Sequence, residues 1–278
     1  MILLFRFLSR WPLVVLHGVG WLLGWLVFSA SPTYRRRFIA NIRQAGLNWR
    51  HGLTAIGQTG CMVMETPRLW FGGAVPVQWA KGAELLVQQA LDAGKGVLIL
   101  TPHLGCFEMI PQEYAKRFGA VQPITVLYRP SRQPYLREVV ATARQREHLL
   151  TAPTTLAGVK QMLKALRAGQ CVGLLPDQVP PEGLGVWSPF FGREAYTMTL
   201  SARLVQQTGA SILLVRGERL SWGRGYRFHA LPMRQELPDD LAAAVAMVNQ
   251  AMEQLILSSP GQYLWGYSRY KQPRKESV

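Results

Sequence analysis

The side chains best suited to chemistry sit in one short block, TPHLGCFE, from Thr101 to Glu108, directly after the apolar run VLIL. An imidazole can accept and return a proton near neutral pH, and a carboxylate beside it fixes its tautomer and stabilises the imidazolium. On one continuous helix, positions as far apart as His103 and Glu108 point to different faces. The two can meet only if His103 stays in a turn while Glu108 lies in the first turns of the helix that follows. VLILTPH predicts a buried strand and 105–118 a helix, so a strand–turn–helix unit supplies that arrangement. The carboxyl ends of strands in open α/β sheets are also where ligands bind. The same residues fit a capping histidine beside an exposed glutamate. Cys106, in the same turn, fits a thiol nucleophile, though no further residue orients it. No metal-ligand spacing surrounds the block, so no metal is expected.

The elements that position this block follow from periodicity. GAELLVQQALDAGKG reads as an amphipathic helix closed by glycines, and ITVLYR at 124–129 as a strand. GVKQMLKALRAG is helical, and CVGLLPD at 171–177 is a second buried strand. A Pro/Gly-rich loop, the helix of TMTLSARLVQQTG, the strands SILLVRGER and GYRFHALPM, and a last helix within 238–259 complete the pattern. Strands alternating with helices predict an α/β fold, a largely parallel central sheet flanked by helices. Continuously apolar strands fit a sheet covered on both faces.

Composition narrows the partners. Hydrophobic residues reach 49% and charged ones only 17%, with nine Trp, which excludes disorder, collagen and coiled coil. The net charge of +15 favours an acidic protein, anionic lipid or nucleic acid. No helix-turn-helix, zinc-finger or RNP-type stretch accompanies it, so nucleic acid is not the expected partner, although a membrane-anchored nucleic-acid-binding protein is the non-enzymatic alternative. Three cysteines without CxxC pairing point to a reducing compartment. From Trp11 to Tyr34 there is no charged side chain, a stretch long enough to cross hydrocarbon. Arg35, Arg36, Arg37, Arg43 and Arg50 follow, against Arg6 and Arg10 before, which places the rest of the chain in the cytoplasm. Residues 1–34 are thus read as a membrane anchor, spanning or lying in the interface, and 35–278 as the catalytic domain.

Five blocks occur in one order: TPHLGCFE, LYRP at 127–130, LLPDQ at 174–178, PFFGREAYT at 189–197 and YLWGYSRYK at 263–271. With the apolar N-terminus, this set resembles the bacterial lipid A biosynthesis acyltransferases, the lauroyl/myristoyl acyltransferase family within the wider lysophospholipid acyltransferase group. The likeness extends over nearly the whole chain. It implies an inner-membrane enzyme of lipopolysaccharide biosynthesis. Such an enzyme moves a fatty acyl chain from an acyl carrier protein thioester, on its phosphopantetheine arm, to a hydroxyl of a lipid A precursor of the Kdo2-lipid IVA type. The alternative acceptor is another glycolipid or a lysophospholipid.

Residue by residue, the resemblance makes His103 and Glu108 the family's catalytic HxxxxD/E pair. His103 would take the hydroxyl proton as that oxygen attacks the thioester, Glu108 would stabilise the imidazolium, and backbone N–H groups from Leu104 to Cys106 would face the oxyanion. Arg129 corresponds to a phosphate-contacting position. Asp177 lies where the third block carries an acid, but DQVPPEG replaces the FPEGTR-type loop of glycerolipid enzymes, which argues against a simple glycerol-phosphate acceptor. Asp177 is expected to orient Arg129 or a sugar hydroxyl. Phe191 and Gly192, with Phe190, are expected to line the acyl chain. Arg269 and Lys271 match the family's basic ending, with Tyr267 and Ser268 where some members carry His and Arg, and are expected to touch anionic lipid. The activated thioester needs no metal or other cofactor.

Overall fold

The computed structural model describes residues 2–128, 146–233 and 235–275. The nine strands among them are β1 (Val77–Trp79), β2 (Val97–Leu100), β3 (Ile124–Tyr128), β4 (Leu149–Pro153), β5 (Cys171–Leu174), β6 (Gly185–Phe190), β7 (Arg193–Met198), β8 (Ser211–Arg219) and β9 (Tyr226–Pro232). Seven form one sheet in the order β1-β9-β8-β2-β5-β3-β4, and β6 and β7 form a separate hairpin. All pairings in the large sheet are parallel except β8 with β9. β2 and β5 lie at its centre, every residue of both is buried, and their registry is Val97 with Cys171 through Leu100 with Leu174. This is the α/β architecture expected from continuous apolar strands.

Helices cover both faces, so the core divides into two layers. On one side pack Val87 and Leu91 of α5 (Ala83–Asp92) and Met109, Ile110 and Tyr114 of α6 (Met109–Phe118). On the other pack Met162 and Leu166 of α7 (Leu156–Arg167), Leu204 of α8 (Leu200–Thr208), and Val248, Met252 and Ile256 of α9 (Leu241–Ser258). α6 begins at Met109, not near Gly105 as periodicity predicts. Gly105 takes a φ of +60°, and the N–H groups of His103, Gly105 and Cys106 donate to Asp177, Gln262 and Gly217 rather than within a helix of their own.

The N-terminal helices are α1 (Ile2–Leu8), α2 (Leu13–Ala30), α3 (Pro32–Gln44) and α4 (Trp49–Phe71). α2 is long and apolar enough to cross a membrane. It packs against α4 through facing glycines: a Cβ on Gly20 would stand 2.7 Å from Cys61 Cα, and one on Gly60 2.7 Å from the Gly24 nitrogen. α4 in turn is part of the sheet's core, with Ala55 and Ile56 buried among Leu104 and Trp265. The outer face of α2 stays open, exposing Val14, Val15, Leu22, Leu23, Leu26 and Val27. Arg36 and Arg37 follow on α3, also exposed.

Candidate active site

The parallel registry of β2 and β5 builds the site. Each strand is followed by two residues, the second of them proline, and then by a residue with chemistry: Thr101-Pro102-His103 after β2 and Leu175-Pro176-Asp177 after β5. Proline holds the residue before it extended, so both chains leave the sheet in step. His103 Nδ1 lies 2.7 Å from Asp177 Oδ1, and the His103 backbone N–H donates to Asp177 Oδ2 at 2.9 Å. Asp177 is 2% exposed, so its carboxylate is held entirely by protein. Burial pushes its carboxyl up, but the charge of His103, the hydrogen bonds from its ring and backbone, and the charge of Arg269 outweigh this and hold it below its ordinary value. An ionised carboxylate only accepts, so Nδ1 carries the proton and Nε2 presents its lone pair. Nε2 is met by the side-chain amide nitrogen of Gln178 at 3.1 Å.

The turn carrying His103 is tied down on every side. The His103 carbonyl accepts from Leu264 N–H, Gly105 N–H donates to the Gln262 carbonyl, and Cys106 N–H donates to the Gly217 carbonyl. The Gln262 side chain grips β8 at both groups of Arg219, accepting from its N–H and donating to its carbonyl. Glycine is required at both contact points: a Cβ on Gly105 would collide with the Gly217 oxygen, and one on Gly217 with the Cys106 oxygen. Beneath the turn, Arg219 donates to the Gly105 carbonyl at 3.1 Å while its guanidinium forms two bonds to Glu65 of α4, at 2.7 and 2.5 Å. Glu65 also accepts from Tyr226 and pairs with His17 of α2, and Arg219 also donates to Gln58. Burial pushes the Glu65 carboxyl up, but Arg219, with His17, outweighs it and brings it down to about 2.

Glu108 occupies the position just before α6, where a negative charge suits the helix N-terminus. Its carboxylate accepts from the Trp70 indole at 3.2 Å, whereas the carboxylate bonded to the imidazole is that of Asp177. Phe107 lies edge-on to the His103 ring, with centroids 4.8 Å apart. Glu108 and Phe107 line both of two adjoining cavities. One runs over an apolar floor that includes Ile110, Val126, Leu127, Gly173 and Leu174. The other lies against Met62, Leu69 and Trp70 of α4.

Other expected site residues fall elsewhere. Arg129 lies outside the described residues, so its expected pairing with Asp177 has no description; Asp177 is on the imidazole instead. Phe191 and Gly192 have φ of +49° and +71° and form the two-residue turn joining β6 to β7. The Phe191 backbone is clamped by Glu253 and Gln44, its ring lies against Trp265, and neither cavity is lined by 190–192. Arg269 is buried, donating to the Tyr196 carbonyl and to Thr197 and covering the Phe190 ring, so it faces the protein interior rather than lipid. Lys271 sits 5.0 Å over the Tyr267 ring, and the Tyr267 hydroxyl accepts from Val179 N–H, steadying the 177–179 loop. The expected oxyanion donors at 104–106 are all engaged, with Leu104 N–H on the Pro102 carbonyl. Cys106 is buried, and burial drives its thiol well above its ordinary value, so it is not an activated nucleophile. Glu65, Arg219, Gly217 and Gln262 carry no local motif, and Gln178 stands in the LLPDQ block with no role marked by its spacing.

An imidazole oriented by a buried carboxylate thus lies near apolar cavities at the strand ends of a parallel sheet, the place where open α/β folds bind their ligands. The family model of bacterial lipid A biosynthesis acyltransferases matches residues 55–272, and the chain belongs to that family of acyltransferases. It is 29% identical over 79% of its length to the lipid A biosynthesis lauroyltransferase of Escherichia coli K12, covering 71% of that protein. It is 28% identical over 76% of its length to the lipid A biosynthesis palmitoleoyltransferase of the same organism, covering 68%. The same figures hold for a lipid A biosynthesis acyltransferase of Shigella flexneri.

Proposed function

We propose that this acyltransferase moves a fatty acyl chain from an acyl carrier protein thioester to a hydroxyl of a lipid A precursor of the Kdo2-lipid IVA type. The observation that carries this reading is the 2.7 Å contact of His103 with buried Asp177, set beside an apolar groove floored by Gly173 and Val126. His103 Nε2 takes the acceptor's hydroxyl proton as that oxygen attacks the thioester carbon. Asp177 keeps the required tautomer and stabilises the imidazolium. The tetrahedral intermediate expels the thiolate, which takes back the proton from Nε2. Glu108, which with Phe107 lines both cavities, adds negative charge on the side of the ring that Phe107 covers. The acyl chain lies in the groove over Gly173, where any larger side chain would press on Val126, 3.2 Å from a Cβ there.

The apolar outer face of α2 seats the protein in the inner membrane, with Arg36 and Arg37 toward anionic lipid on the cytoplasmic side. A positive surface also suits an acidic carrier protein. The test supplies the purified protein with lauroyl, myristoyl and palmitoyl carrier-protein thioesters and a tetra-acylated, Kdo-bearing lipid A precursor. Product mass is the readout. The precursor is expected to gain one acyl chain and the carrier protein a free thiol. Transfer to a lysophospholipid but not to the precursor would overturn the assigned acceptor, and equal turnover with acyl-coenzyme A would overturn the assigned donor.

A further inference from the structure

The lone pair of His103 Nε2 is the atom that must receive the substrate proton, and in this structure the Gln178 amide nitrogen lies 3.1 Å from it. With Nδ1–H donated to Asp177, the amide is the donor in this contact, because its oxygen would face the lone pair with another lone pair. The amide therefore stands where the acceptor hydroxyl has to bind. Meanwhile the four consecutive backbone N–H groups from His103 to Cys106 are spent on Asp177, Pro102, Gln262 and Gly217. An oxyanion forming beside His103 thus finds none of them free, whereas the Gln178 amide nitrogen is 3.1 Å from the reacting ring nitrogen and belongs to a half-buried side chain.

We propose that Gln178 is a catalytic hydrogen-bond donor. Its amide caps Nε2 in the free enzyme and moves to the thioester carbonyl oxygen when the acceptor hydroxyl takes its place on the imidazole. This rests on the reading of His103 as the base. In the step, the O–H bond of the acceptor breaks as its proton passes to Nε2, and the new C–O bond forms. The carbonyl pair moves onto oxygen, where the Gln178 N–H receives it. The pair then returns, the C–S bond breaks, and the thiolate takes the proton from Nε2. The exchange trades a hydrogen bond to a neutral ring for one to an anion, which is roughly twice as strong. The interaction is therefore stronger in the transition state than in the ground state, as catalysis requires.

The experiment compares Gln178→Met, Gln178→Glu, His103→Ala and the unaltered enzyme, with lauroyl carrier-protein thioester and the lipid A precursor. Gln178→Met keeps length and volume but loses the donor, and Gln178→Glu puts an acceptor in its place. Each is expected to lower kcat on the order of 10²–10³-fold, the usual cost of an oxyanion donor, with little change in KM or melting temperature. Normal kcat in Gln178→Met would assign the residue to packing and overturn the proposal, as would a loss confined to KM. If His103→Ala kept full turnover, the base reading itself would fall and this proposal with it; a dead His103→Ala beside a normal Gln178→Met strikes only Gln178.

Discussion

Asp177→Asn is expected to lower kcat by about 10³–10⁴-fold while leaving KM nearly unchanged and the fold intact, the scale seen where a triad aspartate becomes asparagine. The amide is isosteric and its oxygen can still accept from the His103 backbone N–H, so the loop stays in place. Its nitrogen, however, donates toward Nδ1. The imidazole then carries its proton on Nε2, the atom that has to accept one. Steady-state kinetics of the variant, with circular dichroism as a control, measures this. Turnover within about tenfold of the unaltered enzyme would show that Asp177 does not set the tautomer. Glu108→Gln is the comparison, since its oxygen can still accept from Trp70; a loss there exceeding that of Asp177→Asn would move the counter-charge of the imidazolium to Glu108.

The second large effect concerns stability. Arg219→Met leaves Glu65 buried at 1% exposure without its guanidinium, and breaking a buried pair in this way costs about 3–5 kcal/mol. A thermal or urea unfolding curve measures the loss. Glu65→Leu combined with Arg219→Met removes both charges and is expected to be more stable than Arg219→Met alone, yet poorly active, because the Gly105 carbonyl has lost its donor beneath the catalytic turn. A double variant with full turnover would show that the turn does not depend on this support. The pair also sets the acid limit. Glu65 has a folded value of about 2 against an ordinary 4.5, so its contribution is whole above pH 4.5 and declines as pH falls toward 2. Asp177, also depressed, acts in the same direction. Stability is therefore expected to fall through that window in the native protein, and less steeply in the double variant.

The parts of this molecule visible in its sequence are those that local pattern dictates. VLIL and CVGL are strands because apolar residues run without interruption, and SILLVRGER forms β8 over its full length. His103 stood out because a strand, a turn and a helix frame it. The pairing of His103 with Asp177 was hidden, because it depends on the registry of two strands whose residues are 74 positions apart. The cue lay in the matching Pro-His and Pro-Asp steps after equal strand ends. Glu65 and Arg219, from α4 and β8, are separated by 154 positions and meet only through packing. Periodicity extended α6 back to Gly105 because it registers apolar spacing, not the contacts that draw 103–106 away toward Gly217 and Gln262. PFFG reads as an apolar wall, yet its turn glycine and clamped backbone make it a hairpin corner.

The His103 imidazole is tested most directly by the single-turnover rate of acyl transfer by His103→Ala against the unaltered protein, with melting temperatures matched. Loss of a catalytic base predicts a rate lower by about 10²–10⁴-fold with the fold intact. A folded variant that still acylates the precursor at close to the normal rate would show that this imidazole is not the base.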